Sequence, residues 1–224
     1  MRFLALDTAT EACSVALYVD GIITEKFEIA PREHANLVLP MTEALMNEAG
    51  LAPKDLDAIA FGCGPGAFTG VRIAAGVVQG IAFAANLPVV AVSDLAAVAL
   101  AVCHKHHADR TLVCLDARMR EVYWGVYDSR ADRQSVELNG TERLSAPAKV
   151  ETAGKFFAAG PGWSAYPVLA QRFESQIIGI DTGQLPHAAD IARLAAPRIE
   201  QGDTAPAEKA LPVYLRNEVA WKKP

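Results

Sequence analysis

The sequence predicts an α/β protein made of two related halves, and three observations carry that prediction. First, Ala58-Ile59-Ala60-Phe61 reads as a short buried strand, the stretch from Gly62 to Gly70 as a glycine-rich loop, and Val71 to Ala85 as a helix rich in alanine and aliphatics. Second, a strand ending in aspartate occurs twice: Leu6-Asp7-Thr8-Ala9-Thr10 through Leu17-Tyr18, and Leu115-Asp116-Ala117-Arg118-Met119 through Val126-Tyr127. Asp116 and Tyr127 each lie 109 residues after their counterparts Asp7 and Tyr18. Third, Gly64-Pro65-Gly66 is echoed by Gly160-Pro161-Gly162, each after a short apolar strand. Two echoes in one order point to an internal duplication.

Arg2 to Leu6 is a strand ending at Asp7; Ala12 to Val19 and Ile22 to Glu28 are two more, joined by the hairpin turn Asp20-Gly21. A helix runs from about His34 to Ala49, closed by Gly50, with Leu37, Met41, Ala44 and Leu45 at helical spacing. Pro40 removes one of its backbone donors. Val89 to Val92 is a strand, and Ser93 caps a helix to about His107, with Asp94 in its first turn complementing the helix dipole. Thr111 to Leu115 and Glu121 to Tyr127 are strands. Pro161-Gly162-Trp163 starts a helix to about Phe173, Gln176 to Ile180 is a strand, and Ala188 to Glu200 is a helix. The expected domains are 1–108 and 109–224, with Pro212 to Arg216 too apolar for a loose tail and expected to dock on the body.

Composition narrows the function. A formal charge of −5 and the lack of Lys/Arg clusters outside the last residues argue against this chain holding nucleic acid alone. Cys13, Cys63, Cys103 and Cys114 show neither a C-x-x-C pair nor metal spacing, which fits buried thiols in a reducing cytosol. The uncharged window Ile73 to Ser93 is divided by Gln79, Asn86 and Leu87-Pro88, and Asp7 interrupts the apolar residues 2–6; a soluble protein is expected.

Chemistry concentrates at the glycine loop and the helix after it. Strand, glycine-rich loop, helix aims free N–H groups at an anion. The helix itself carries no charge from Ile73 to Ala85, so it is either buried all round or covered by a partner, and Gly76 and Gly80 would admit another helix closely. His34, and the cluster His104, His106 and His107, read as helix-terminal residues rather than ligands. Ser14 and Thr69 lack a histidine–carboxylate partner.

A strand–Asp–hairpin opening in each half resembles the actin-like (ASKHA) architecture of two ribonuclease-H-like domains in tandem. With Leu4-Ala5-Leu6-Asp7-Thr8-Ala9-Thr10, Gly64-Pro65-Gly66-Ala67-Phe68-Thr69-Gly70-Val71-Arg72 and Pro212-Val213-Tyr214-Leu215-Arg216 in this order, the whole chain closely resembles the TsaB (YeaZ) family. That resemblance implies a cytoplasmic, non-catalytic subunit of the bacterial machinery making threonylcarbamoyladenosine (t6A) in transfer RNA. It would pair with its larger catalytic paralogue TsaD, work with the ATPase TsaE, meet transfer RNA through the complex, and self-pair into a homodimer when alone. The expected partner interface is Leu37, Met41 and Leu45 on the first long helix with Val71, Ala75, Val78 and Ile81 on the second.

No cofactor is expected. In the actin-like fold the nucleotide lies at the opening hairpins, which here would mean Asp7, Thr8, Thr10, Gly64 and Gly66. Phosphate hairpins need small residues; Ala9 is marginal, and Ala117-Arg118-Met119-Arg120 is bulky and offers no glycine. TsaD holds a metal with a His-x-x-x-His pair; the matching positions here are Asp94 and Val98, and valine cannot coordinate, so no metal is expected. The alternative is an ATP-dependent transferase or kinase using its own interdomain cleft.

Overall fold

The computed structural model describes residues 1–216. Strands β1 (Arg2–Asp7), β2 (Ala12–Val19), β3 (Ile22–Ile29), β4 (Ala58–Gly62) and β5 (Val89–Val92) form one sheet in the order β3-β2-β1-β4-β5. β1, β2 and β3 pair antiparallel; β4 and β5 join parallel. A second sheet contains β6 (Arg110–Asp116), β7 (Val122–Ser129), β8 (Val136–Leu138), β10 (Phe156–Ala159) and β11 (Ile177–Asp181), with β9 (Arg143–Ser145) pairing β7. Its order is β11-β10-β6-β7-β8. Counted from its own first strand, β6, the second sheet repeats the order of the first. The duplication suggested by Asp7 and Asp116 is thus a repeated ribonuclease-H-like sheet, each opened by an antiparallel hairpin that ends its first strand in aspartate.

Side chains alternate across the sheets and fix the layers. Leu4, Leu6, Ile59 and Phe61 of the first sheet meet Val38 and Leu45 of α1 (His34–Glu48) and Val78 and Ala82 of α2 (Phe68–Ala85). On the opposite face, Phe3, Ala5, Ala60 and Val90 meet Ala188, Ile191, Ala192 and Ala195 of α6 (Ala188–Glu200). In the second sheet, Val113, Leu115 and Phe157 pack on Leu95, Val98 and Val102 of α3 (Asp94–His106). Its outer face, with Leu112, Cys114 and Phe156, is covered by Trp163, Leu169 and Phe173 around α4 (Gly162–Ala165) and α5 (Val168–Arg172).

The helices are therefore exchanged. α3 precedes position 108 yet covers the second sheet, and α6 comes after it yet covers the first. A division at 108/109 separates the strands but not the helices that bury them. The single helix expected from Gly162 to Phe173 is broken in two, because Pro167 lacks an N–H and forces Tyr166 out of the helical region, to φ −132 and ψ 84. Strands β8 and β9 carry no apolar run, so the sequence does not announce them.

α2 is long and apolar enough to cross a membrane by composition alone, with a mean hydropathy of 1.5. Its inward stripe, Val71, Ala74, Ala75, Val78 and Ala82, is buried on the first sheet.

Candidate functional site

The end of β1, the glycine loop after β4 and the first turn of α3 meet at one point. Asp7 Oδ1 accepts the Ala9 N–H at 2.8 Å, closing an Asx turn that starts the hairpin. Thr8 Oγ1 donates to the Gly70 carbonyl at 2.7 Å and accepts the Ala74 N–H at 3.1 Å. The Ala67 N–H donates to the Ala9 carbonyl at 2.7 Å, and the Gly64 N–H donates to Asp94. The hairpin lies directly on the loop. A Cβ on Gly66 would stand 2.5 Å from the Ala9 carbonyl oxygen, and one on Gly70 would stand 2.0 Å from that of Thr8. These glycines exist because their own chain approaches them.

The residues expected to hold a nucleotide sit within that packing: Asp7 and Thr8 are fully buried, and the Ala9 and Thr8 carbonyls lie against Gly66 and Gly70. Gly64 is covered by the C-terminal strap, whose Val213 carbonyl oxygen would lie 2.9 Å from a Cβ there. Thr10 is half-buried and accepts the Ala12 N–H at 3.3 Å.

Asp94 stands elsewhere than its sequence position implies. A first-turn carboxylate is expected to complement the helix dipole from solvent; this one is fully buried beside Asp7. A Cβ on Gly62 would stand 2.3 Å from Asp94 Oδ1 and 2.7 Å from Asp7 Oδ1, so only glycine fits beneath the two carboxyls. Burial, and then the charge of Asp7, hold the Asp94 carboxyl well above the usual range; burial also raises Asp7. Asp7 Oδ2 and Asp94 Oδ1 have no other partner among the described residues. One proton shared between the two carboxyls would satisfy both, as in other close carboxyl pairs. Next to them, Ser93 and Tyr127 both hydrogen-bond Glu142, tying α3 to the second sheet.

The histidines are structural. His34, expected near the surface, is buried, its Nε2 3.1 Å from the Ala12 carbonyl oxygen. His104 reaches the Arg133 carbonyl at 2.7 Å and His106 reaches Asp181 at 3.0 Å. Val98, on α3, faces the second sheet within the core.

The residues expected at the partner surface face mostly inward in the lone chain. Met41, Leu45, Val71, Ala75 and Val78 are buried within the chain's own core, and Leu37 and Ile81 stand half-buried at its rim. Physically, one stripe of each helix has to cover the sheet, and in α2 no charge after Arg72 marks which. The outward stripe of α2 is Arg72, Gly76, Gly80 and Phe83, flanked by half-buried Ile73 and Val77. Nothing lies within 4 Å of where a Cβ on Gly76 or Gly80 would stand, and Phe83 is 78% exposed. On α1, Leu39 is exposed too.

The strap from Leu211 to Arg216 crosses both halves. The Val213 N–H donates to the Cys63 carbonyl at 2.7 Å, Gln79 donates to the Ala210 carbonyl at 3.0 Å, and Arg216 donates to Glu121 at 2.7 Å. The described part of this segment ends at Arg216; Lys222-Lys223 lies outside the described residues.

Comparison with known proteins gives the site its context. The family model of TsaD, tRNA N6-adenosine threonylcarbamoyltransferase, matches residues 21–223. The tRNA threonylcarbamoyladenosine biosynthesis protein TsaB of Escherichia coli K12 is 44% identical over all of this chain and 98% of its own length. Its namesake in Haemophilus influenzae is 40% identical over all of this chain and 97% of its own. The solved structure of YeaZ from Pseudomonas aeruginosa superposes with a TM-score of 0.87 at 46% identity, covering 96% of this chain and 99% of that one.

Proposed function

This chain belongs to the TsaB family of tRNA threonylcarbamoyladenosine biosynthesis proteins, within the wider TsaD family, and from that premise we propose that it acts there as a non-catalytic subunit. Its role in t6A modification comes with the family. The catalytic work falls to a larger paralogue of the TsaD kind, which docks on the outward face of α1 and α2, with a TsaE-type ATPase acting on the pair in the cytoplasm.

One observation carries this reading. α2 has two apolar stripes, and the chain uses only one of them. The other, Gly76, Gly80 and Phe83 between Ile73 and Val77, is uncovered and carries no charge beyond Arg72 at its N-terminal end. Two glycines one turn apart let a second helix backbone come close, and a paralogue sharing the fold supplies a matching helix. The closely packed glycine loop supports the non-catalytic half of the reading, since Thr8 and Ala9 press their own backbone onto Gly70 and Gly66.

The test uses outward residues, because the core positions would unfold the chain. Gly80→Arg and Phe83→Lys are expected to abolish co-purification with the TsaD-type partner while leaving the melting temperature almost unchanged, as surface changes do. Capture of the partner at wild-type yield by both variants would refute this surface. Calorimetry of the lone chain with Mg-ATP should show no heat; micromolar binding would favour the kinase alternative instead.

A further inference from the structure

The second hairpin, between β6 and β7, does not close inward as the first does. Arg118, Met119 and Arg120 have φ values of 60°, 53° and 63°, three successive non-glycine residues in the left-handed region. Backbone of this kind persists only where its surroundings hold it, and it gathers at functional sites. The supports are visible. Asp116 Oδ1 accepts the Arg118 N–H at 2.8 Å, and Glu121 N–H donates to the Arg118 carbonyl at 3.0 Å. From the strap, Arg216 donates to the Ala117 carbonyl at 3.1 Å and to Glu121. All of this fixes the backbone and turns the side chains out: Arg118 is 86% exposed and Met119 69%. Their contacts within the chain are the Arg118–Asp116 pair at 3.0 Å and the Met119 sulfur accepting from Arg216 at 2.8 Å, exposed contacts of a kind that adds little to folding.

Two residues earlier on the same strap, Tyr214 accepts the Arg72 Nε–H at 2.7 Å. The Arg72 guanidinium lies 3.5 Å over the Phe68 ring, with the Phe68 and Tyr214 ring centroids 5.9 Å apart. Phe68 and Tyr214 are each about half exposed. The strap thus joins planar, partly open rings and guanidinium to an arginine-bearing turn, at one edge of a chain that is acidic overall. Outward arginines take phosphates, and open aromatic faces take unpaired bases. An acidic protein surface would use the charges and leave the rings idle.

We propose that Phe68, Arg72, Tyr214, Arg118, Met119 and Arg120 form an RNA-contacting edge that takes an unpaired loop by its phosphates and base faces. The proposal rests on the reading of this chain as a subunit of a transfer-RNA-modifying complex. The chain's net charge of −5 makes the contact a share of the complex's affinity rather than the whole.

The test titrates the complex of this chain and its catalytic paralogue against a fluorescein-labelled RNA hairpin with an unpaired loop, by anisotropy across a salt series. Arg118→Gln/Arg120→Gln is expected to weaken binding about tenfold and to flatten the log–log salt slope by roughly 1.4, about 0.7 for each phosphate of single-stranded RNA left without its arginine. Phe68→Leu is expected to weaken binding several-fold with the slope unchanged, which separates stacking from charge. Unchanged affinity in both variants overturns the proposal, as does a wild-type complex that ignores the hairpin. Co-purification is scored in parallel: if the arginine variant no longer captures the paralogue, the edge is a protein contact and the RNA assignment falls. Failure of Gly80→Arg alone to disrupt capture would instead overturn the helix interface and leave this edge standing.

Discussion

The two opening hairpins are the same device used in opposite senses. In each, an aspartate at the end of the first strand accepts the N–H two residues on: Asp7 from Ala9 and Asp116 from Arg118, both at 2.8 Å. In each half a glycine pair then packs against backbone; Gly66 and Gly70 meet the carbonyls of Ala9 and Thr8, while Gly160 and Gly162 both meet that of Cys114. The difference lies in the residues after the aspartate. Small ones, Thr8 and Ala9, let the first hairpin sink into the glycine loop and bury Asp7. Arg118, Met119 and Arg120 cannot sink, so the second hairpin stays at the surface, where Asp116 finds Arg118 at 3.0 Å and the Tyr166 hydroxyl at 2.9 Å. One duplicated turn has become packing and the other has become surface. Side-chain size decides which.

The largest effect that would break this contrast is at the buried hairpin. Gly70→Ala places a methyl 2.0 Å from the Thr8 carbonyl oxygen, where both sides are backbone and neither can swing away. We expect a loss of about 3 kcal/mol or more in urea unfolding, at the upper end of overpacking costs. Gly162→Ala in the second half meets the Cys114 carbonyl oxygen at 2.7 Å and should cost about 1–2 kcal/mol by the same reckoning. Equal costs would mean that the two loops are packed alike.

The next effect concerns the buried carboxyl pair, which only the first half has among the described residues. The Asp94 pKa is raised in the folded chain by burial and by Asp7, while in the unfolded chain it returns to about 4. Between those values the unfolded state holds fewer protons, so stability falls as pH rises from about 4 through the folded value. Asp94→Asn keeps an acceptor for the Gly64 N–H and a donor for Asp7 without a proton to lose. The variant should flatten the pH–stability curve and exceed wild type in stability on the alkaline side, where wild-type Asp94 has to give up its proton in the folded chain. A curve parallel to wild type would place the titrating group elsewhere.

Legibility in the sequence divides along the same line. The strands are readable because their apolar alternation is local, and the spacing from Asp7 to Asp116 exposes the duplication without any fold in view. The exchange of α3 and α6 between sheets is hidden, because an alanine-rich helix fits either sheet and only the path of the chain decides. The glycine loop is ambiguous for a related reason: glycine is required wherever backbone comes close, and the sequence does not show that the Thr8 carbonyl is what approaches Gly70. Val78 reads as surface because both stripes of α2 are apolar, although the sheet covers it. Burial of Asp94 leaves no separate trace, since Gly62, the glycine beneath it, closes β4 and reads in the sequence as the first residue of the glycine loop.

The smallest effect is the sharpest, because one kind of substitution should change sign between the hairpins. Ala9 is buried and is not among the residues with positive φ, so Ala9→Gly loses a packed methyl and loosens the unfolded chain, for a cost of about 1 kcal/mol. Arg120 sits at φ 63°, where a Cβ is penalised by about 1–2 kcal/mol. After the added flexibility of the unfolded chain is subtracted, Arg120→Gly should stabilise by about 0.5–1 kcal/mol. Urea unfolding of the two variants side by side measures both signs. A destabilised Arg120→Gly would show that the arginine is held by the fold for its own sake. A stabilised one that also binds the RNA hairpin more weakly would show that the strain is retained for a contact outside the chain.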